Sequence, residues 1–206
     1  EDTGLLMKAH TSNFRIRGFV HETNMEELIS LGRRYNIPTF YDAGSGLFYP
    51  MGETNMRGEP LITAEVAKGF DVLSLSGDKL LGAPQAGIIL GDSACIDMMK
   101  KNPLTRALRP DKFTLAALEN TLLLYLDMDT AKREIPTLAM IYQDSDLLKR
   151  RARRIAAAIR KRCPDLIVSG VATHSEAGGG SLPDVVIPSF ALALQPQAMS
   201  VGHFEE

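Results

Sequence analysis

The stretch that most limits how this chain can fold is Phe70-Asp-Val-Leu-Ser-Leu-Ser-Gly-Asp-Lys-Leu-Leu-Gly-Ala-Pro-Gln-Ala-Gly-Ile-Ile-Leu-Gly91. Two short apolar runs, Val72 to Leu75 and Ala86 to Leu90, are bounded by glycines and read as buried strands. Lys79 occupies the polar hinge between them, with Ser74, Ser76 and Asp78 before it and Gly82, Pro84 and Gly87 after it. A lysine in a tight turn between core strands has little room to carry its ammonium into water. Lost solvation favours the neutral amine, the form that attacks a carbonyl in Schiff-base chemistry. A surface lysine in an ordinary hairpin turn fits the same pattern, and this stretch alone leaves both readings open.

Upstream, strands and helices alternate. Leu5 to Ala9 reads as a strand that ends in His10-Thr-Ser-Asn13, and polar residues past the carboxyl end of a core strand are where open α/β sheets contact ligands. Simple turn chemistry explains Asn13 equally well. Asn24 caps a helix from Met25 to Tyr35 with Glu26 and Glu27 in its first turn, where the helix dipole favours acids. Ile37 to Tyr41 then runs as an apolar strand into Asp42-Ala-Gly-Ser-Gly46. A carboxylate there is costly without a cationic partner, and the glycines after it permit close backbone approach to a ligand; a turn or cap aspartate is the alternative. Neither a dinucleotide fingerprint nor a Walker A pattern is present. A short helix opens at Thr63 and ends near Gly69.

Downstream, Asp92 or Ser93 caps a helix from Ala94 to Lys101. Arg106 and Arg109, three apart, converge on one anion if they share a helical turn or a tight loop; a solvated basic loop is the plainer reading. Thr114 is expected to cap an apolar helix to Leu126, a core or interdomain element. Thr137 to Tyr142 forms another helix. Asp144 opens a long amphipathic one to Arg162, with Leu147, Leu148, Ile155 and Ile159 inward. Its other face carries Lys149, Arg150, Arg151, Arg153, Arg154, Arg160 and Lys161, a row that either meets RNA phosphates or is a solvated surface. Strands at Leu166 to Ser169, Val185 to Ile187 and Phe190 to Leu194 follow, so a small α+β domain is expected over 134–206 after an α/β portion over 1–133.

Composition narrows the class. The 206 residues are 45% hydrophobic and 23% charged, values of an ordinary globular protein. A net charge of −2 provides no general attraction to nucleic acid, so RNA contact needs a local basic patch. Cys95 and Cys163 are far apart and suggest neither a disulfide framework nor a zinc site, and no metal site is expected. With no apolar run of transmembrane length and no signal peptide, a cytoplasmic protein without membrane contact is expected. The chain starts at Glu1 without methionine and reads as an excerpt of a longer protein.

Five blocks in order carry a resemblance: His10-Thr-Ser-Asn-Phe-Arg-Ile-Arg-Gly-Phe19, Asp42-Ala-Gly-Ser-Gly46, Ser76-Gly-Asp-Lys-Leu-Leu-Gly-Ala-Pro-Gln-Ala-Gly87, Arg106-Ala-Leu-Arg109 and Gly178-Gly-Gly-Ser-Leu-Pro183. Over nearly its whole length the chain resembles the bacterial selenocysteine synthases, the L-seryl-tRNA(Sec) selenium transferases, with Ala83 where glycine is expected. The resemblance implies an α/β fold: the C-terminal portion of the large domain of pyridoxal-phosphate enzymes of aspartate-aminotransferase type (fold type I), followed by a small, incomplete α+β domain. The N-terminal part and extreme C-terminus would be missing. It also implies pyridoxal 5'-phosphate as cofactor, with Lys79 as Schiff-base lysine and Asp42 against the pyridinium nitrogen. Asn13 would lie by the ring's phenolic oxygen and Ser76 near the phosphate. Asp78 would stand beside the reacting carbons, and Arg106 and Arg109 would take the selenium donor. The implied activity converts seryl-tRNA(Sec) to selenocysteinyl-tRNA(Sec) with selenophosphate, through an aminoacrylyl-tRNA intermediate, in a homo-oligomer built as a ring of dimers. The alternatives are a related lyase that removes ammonia or water from a small amino or sugar acid through the same lysine and aspartate, and a non-catalytic RNA-binding fragment.

Overall fold

The computed structural model describes residues 2–11, 18–50, 59–178, 182 and 185–197. Asn13 and most of the block at 178–183 lie outside the described residues. The chain forms two compact units, Glu1–Ala139 with Ala177–Pro183, and Met140–Glu176 with Asp184–Glu206.

The first unit is built on a mixed four-stranded sheet in the order β1-β2-β3-β4. β1 (Leu6–Ala9), β2 (Thr39–Gly44) and β3 (Val72–Ser76) are parallel, and β4 (Gly87–Gly91) returns antiparallel to β3. The parallel crossovers pass through α1 (Met25–Tyr35) and α2 (Ile62–Lys68). α1 begins where expected: the Asn24 side chain accepts the Glu26 amide at 2.9 Å, satisfying one of the helix's orphan donors. At the start of the sheet, Asp71 accepts both the Thr39 amide (2.6 Å) and the Thr39 hydroxyl (2.7 Å), which ties β2 to β3 before their ladder begins. Core side chains are Tyr41, Ala43, Leu73, Leu75, Leu80 and Leu81, and Tyr41 stacks on Phe70 at 5.3 Å.

Two expectations for this unit need correction. β4 is an edge strand whose residues alternate between exposed and half-buried, so the second apolar run is not a buried strand. A run of Ile-Ile-Leu says nothing about whether a neighbour pairs on its far side. α3 (Ser93–Lys101), α4 (Leu104–Leu108) and α5 (Lys112–Leu124) follow. Asp111, not Thr114, caps α5, accepting the Phe113 and Thr114 amides and the Thr114 hydroxyl. Nor is α5 a core helix within this unit, since Leu115, Leu122 and Leu123 are exposed. α6 (Met128–Glu134) and α7 (Pro136–Ile141) lead onward.

In the second unit, α8 (Ser145–Arg162) packs on a two-stranded antiparallel hairpin, β5 (Leu166–Ser175) and β6 (Ile187–Pro196). Asp144 caps α8 as expected, accepting the Asp146 amide. The inward stripe differs: Ala152 and Ala156 are buried, whereas Leu147 and Ile155 are exposed. Small residues let the helix sit close to the hairpin, leaving the larger flanking side chains at the rim. The two strands expected near 185–194 are one continuous strand, β6.

Candidate active site

Asp42 and the lysine turn sit at the carboxyl ends of adjacent parallel strands, where α/β sheets place their ligands. Across the β2–β3 ladder Asp42 faces Ser74, and the Ser74 hydroxyl donates to the Asp42 carboxylate at 2.8 Å. The Gly44 amide donates to the same oxygen, Oδ1, at 3.3 Å. The other oxygen accepts nothing from a described residue. The pairing slips one residue between Asp42 and Gly44, a bulge that re-aims the strand as it leaves the sheet. On the far side the His10 amide donates to the Asp42 carbonyl at 2.8 Å, joining the exit of β1 to that of β2.

The turn bearing Lys79 is fastened to the loop after Asp42. The Leu80 amide donates to Ser45 O at 2.9 Å, and Gly46, with φ of 76°, passes so close that a Cβ there would lie 2.8 Å from Ser76 O. Only glycine tolerates that backbone at that distance. Inside the turn, the Gly77 amide reaches Ala86 O at 2.8 Å and the Ala83 amide reaches Gly77 O at 2.8 Å. The Tyr125 hydroxyl donates to Leu81 O at 2.9 Å from beneath. Leu80 and Leu81 are buried, which anchors the turn while Lys79 stays half-buried. The Lys79 amine has no hydrogen bond or ion pair with a described residue.

Ser74 and Ser76 project from the same face of β3 by strand alternation. The Ser76 hydroxyl donates to the Asp78 carboxylate, and Asp78 is exposed. Asp42, Ser74, Ser76, Asp78 and the Lys79 turn are therefore gathered at one end of the sheet. Ser74 was not among the expected site residues. Its signal was positional: a polar residue on the face and at the strand end that an adjacent parallel strand uses for Asp42.

The arginine pair is not one helical surface. Arg106 lies in the last turn of α4, while Arg109 follows the helix with extended backbone (ψ 125°). Both are exposed, and no hydrogen bond or ion pair links them to the strand-end group among the described residues.

The opposite face of β2 lines a cavity of about 750 Å³ with Lys8, His10, Tyr41, Glu59 and Glu65 on its wall. His10 Nε2 lies 3.5 Å from the buried carboxylate of Glu59, and Lys68 pairs with Glu65 at 2.8 Å. Burial, then the charges of Glu65 and Glu59, push the Tyr41 phenol well above its ordinary range and keep it protonated. No group of His, Cys, Asp and Glu among the described residues forms a metal cage, and no described helix is long and apolar enough to cross a membrane.

Comparison with known proteins shows what the chain is similar to. The chain is 44% identical over 205 residues to the L-seryl-tRNA(Sec) selenium transferase of Alkaliphilus metalliredigens, covering 100% of this chain and 44% of the relative. It is 47% identical over 199 residues to that of Maridesulfovibrio salexigens, covering 96% of this chain and 43% of the relative. The chain thus spans less than half the length of these curated relatives. A solved D-glucosaminate-6-phosphate ammonia-lyase superposes with a TM-score of 0.48 at 19% identity, over 93% of this chain and 41% of that one. A family model described as L-seryl-tRNA selenium transferase matches residues 1–206, and the chain belongs to that family.

Proposed function

We propose that this chain is the catalytic portion of an enzyme that converts seryl-tRNA(Sec) to selenocysteinyl-tRNA(Sec) with selenophosphate, using pyridoxal phosphate. Its first unit is read as the C-terminal portion of an aspartate-aminotransferase-like large domain and its second as the start of the small domain. A cytoplasmic homo-oligomeric assembly goes with this reading. The observation that carries it is the placing of Asp42, one carboxylate oxygen fixed and the other without a described donor, at the strand end to which the Lys79 turn is fastened, with the Lys79 amine bonded to no described residue.

These residues fit the cofactor. A pyridine nitrogen needs an acceptor held in place, which Asp42 offers through its second oxygen, and an aldehyde needs an available amine, which Lys79, bonded to no described residue, offers. When bound, the group supplies the electron sink that lets the seryl β-hydroxyl leave and selenium take its place. Asp42 holds a proton at the ring nitrogen, and Ser74 and Gly44 keep its carboxylate from turning away. Lys79 retains the cofactor between turnovers and moves the proton at the seryl Cα when its amine is free. Asp78, oriented by Ser76, stands next to that amine in sequence and borders the same turn. Asn13 contributes a polar contact to the ring, Ser76 one to the phosphate, and Arg106 with Arg109 receive the anionic donor. The full-length protein, loaded with pyridoxal phosphate, tests the assignment by its absorbance before and after borohydride. An absorbance band that borohydride abolishes in wild type and that Lys79→Ala lacks supports it; an unchanged band in Lys79→Ala overturns it.

A further inference from the structure

We infer that the outward face of α8 is a docking surface for the phosphate backbone of RNA, separate from the residues assigned to chemistry. The inference rests on the proposed tRNA substrate and names where the body of such an RNA is held. Over its 18 residues α8 carries eight cations, Lys149, Arg150, Arg151, Arg153, Arg154, Arg160, Lys161 and Arg162, against one acid, Asp146. Solubilising helices mix signs, as α1 does with Glu26 and Glu27 in its first turn and Arg33 and Arg34 in its last. In a chain of net charge −2, a helix this one-sided is not a sample of the average surface.

The structure separates the cations into two groups. Lys149 lies over the Phe190 ring at 6.0 Å and Arg160 donates to Val168 O at 2.6 Å, so these two serve the unit's own packing. The side chains of Arg150, Arg151, Arg153, Arg154, Lys161 and Arg162 are exposed and make no hydrogen bond or ion pair with a described residue. Arg150, Arg154 and Lys161 fall on one face, because four and eleven residues are close to one and three full turns. They span about 16 Å along the axis at 1.5 Å per residue. Each brings a positive head that forms no ion pair with a described carboxylate, Asp146 one turn before Arg150 included, which is what exchange of counterions at phosphates requires. A membrane surface fits less well. The apolar side an interfacial helix would insert, through Leu148, Ala152, Ala156 and Ile159, is turned toward β5 and β6, with Ala152 and Ala156 buried.

The test uses the full-length protein loaded with cofactor and a tRNA titrated at several salt concentrations. Arg150→Gln/Arg154→Gln/Lys161→Gln is expected to weaken binding at least about tenfold at physiological salt and to lower the salt slope by about 2 to 3. Its cofactor absorbance should match wild type. Lys100→Gln/Lys101→Gln on α3, a control that removes two cations from another helix, should bind as wild type does. If the triple variant does not fold, Arg154→Gln alone should lower the slope by about 1. An unchanged slope in these variants, an equal loss in the control, or wild-type binding to phosphatidylserine vesicles in place of RNA overturns the inference. Wild type that binds tRNA steeply with salt but transfers no selenium sinks the activity and leaves this surface standing. Transfer with undiminished binding by the triple variant does the reverse.

Discussion

At the sheet's end in the first unit, the polar groups are tied to one another: Asp42 to Ser74 and Gly44, Ser76 to Asp78, the lysine turn to Ser45 and Tyr125. On α8 in the second unit, six cations make no hydrogen bond or ion pair with a described residue. The first arrangement holds a few atoms in fixed relation, and the Lys79 amine within it pairs with no described residue. The second presents many interchangeable charges to whatever arrives. An interlocked set predicts large effects from single changes, whereas a charged face predicts small effects that accumulate.

The sharpest way to break that comparison is Lys79→Ala in the full-length protein. Selenium transfer should fall by about 10³-fold or more while tRNA affinity stays within about twofold, read by transfer and binding assays on the same preparation. Ser74→Ala should cost about tenfold in transfer, because the Asp42 carboxylate keeps only its Gly44 contact; a Ser74→Thr variant that restores the hydroxyl should recover most of it. Stability sharpens the contrast further. Asp71→Ala removes the acceptor of two Thr39 donors, one of them a backbone amide in a buried residue, and should destabilise the first unit by about 2 kcal/mol in urea unfolding. Gly82→Ala should cost a comparable ~1–3 kcal/mol, since φ is 69° there and a Cβ would meet Ile135 Cγ2 at 2.4 Å. The smallest effect belongs to Asp111. Thr114, through its hydroxyl and then its amide, and the Phe113 amide hold its carboxyl below the usual carboxylate range. That stabilisation is present above the ordinary aspartate value and is lost as pH falls through the lowered one. Asp111→Ala should therefore be slightly less stable than wild type near neutrality, and the gap should close in acid.

Much of this was legible beforehand where the signal is local. Asn24 and Asp144 cap the helices they were expected to cap, because a short polar side chain before an apolar period needs only its own neighbours. Thr114 failed as a cap for a local reason too: Asp111 stands three residues earlier and its charged carboxylate collects both amides and the threonine hydroxyl. What failed for non-local reasons was burial. The leucines of α5 and the isoleucines of β4 have the pattern of packed elements, yet nothing in their own sequence states which neighbour is present to cover them.

From the residues alone came the α/β alternation, the choice of Asp42 and Lys79 as candidates, and the family likeness, all of which depend on residue type and order along the chain. Tertiary structure alone decided that Ser74 steadies Asp42, that Ser45 and Gly46 clasp the lysine turn, and that six cations of α8 pair with no described residue. Those facts join positions about 30 residues apart or sort one helix into faces, and only the register between strands and the packing of the helix can set them.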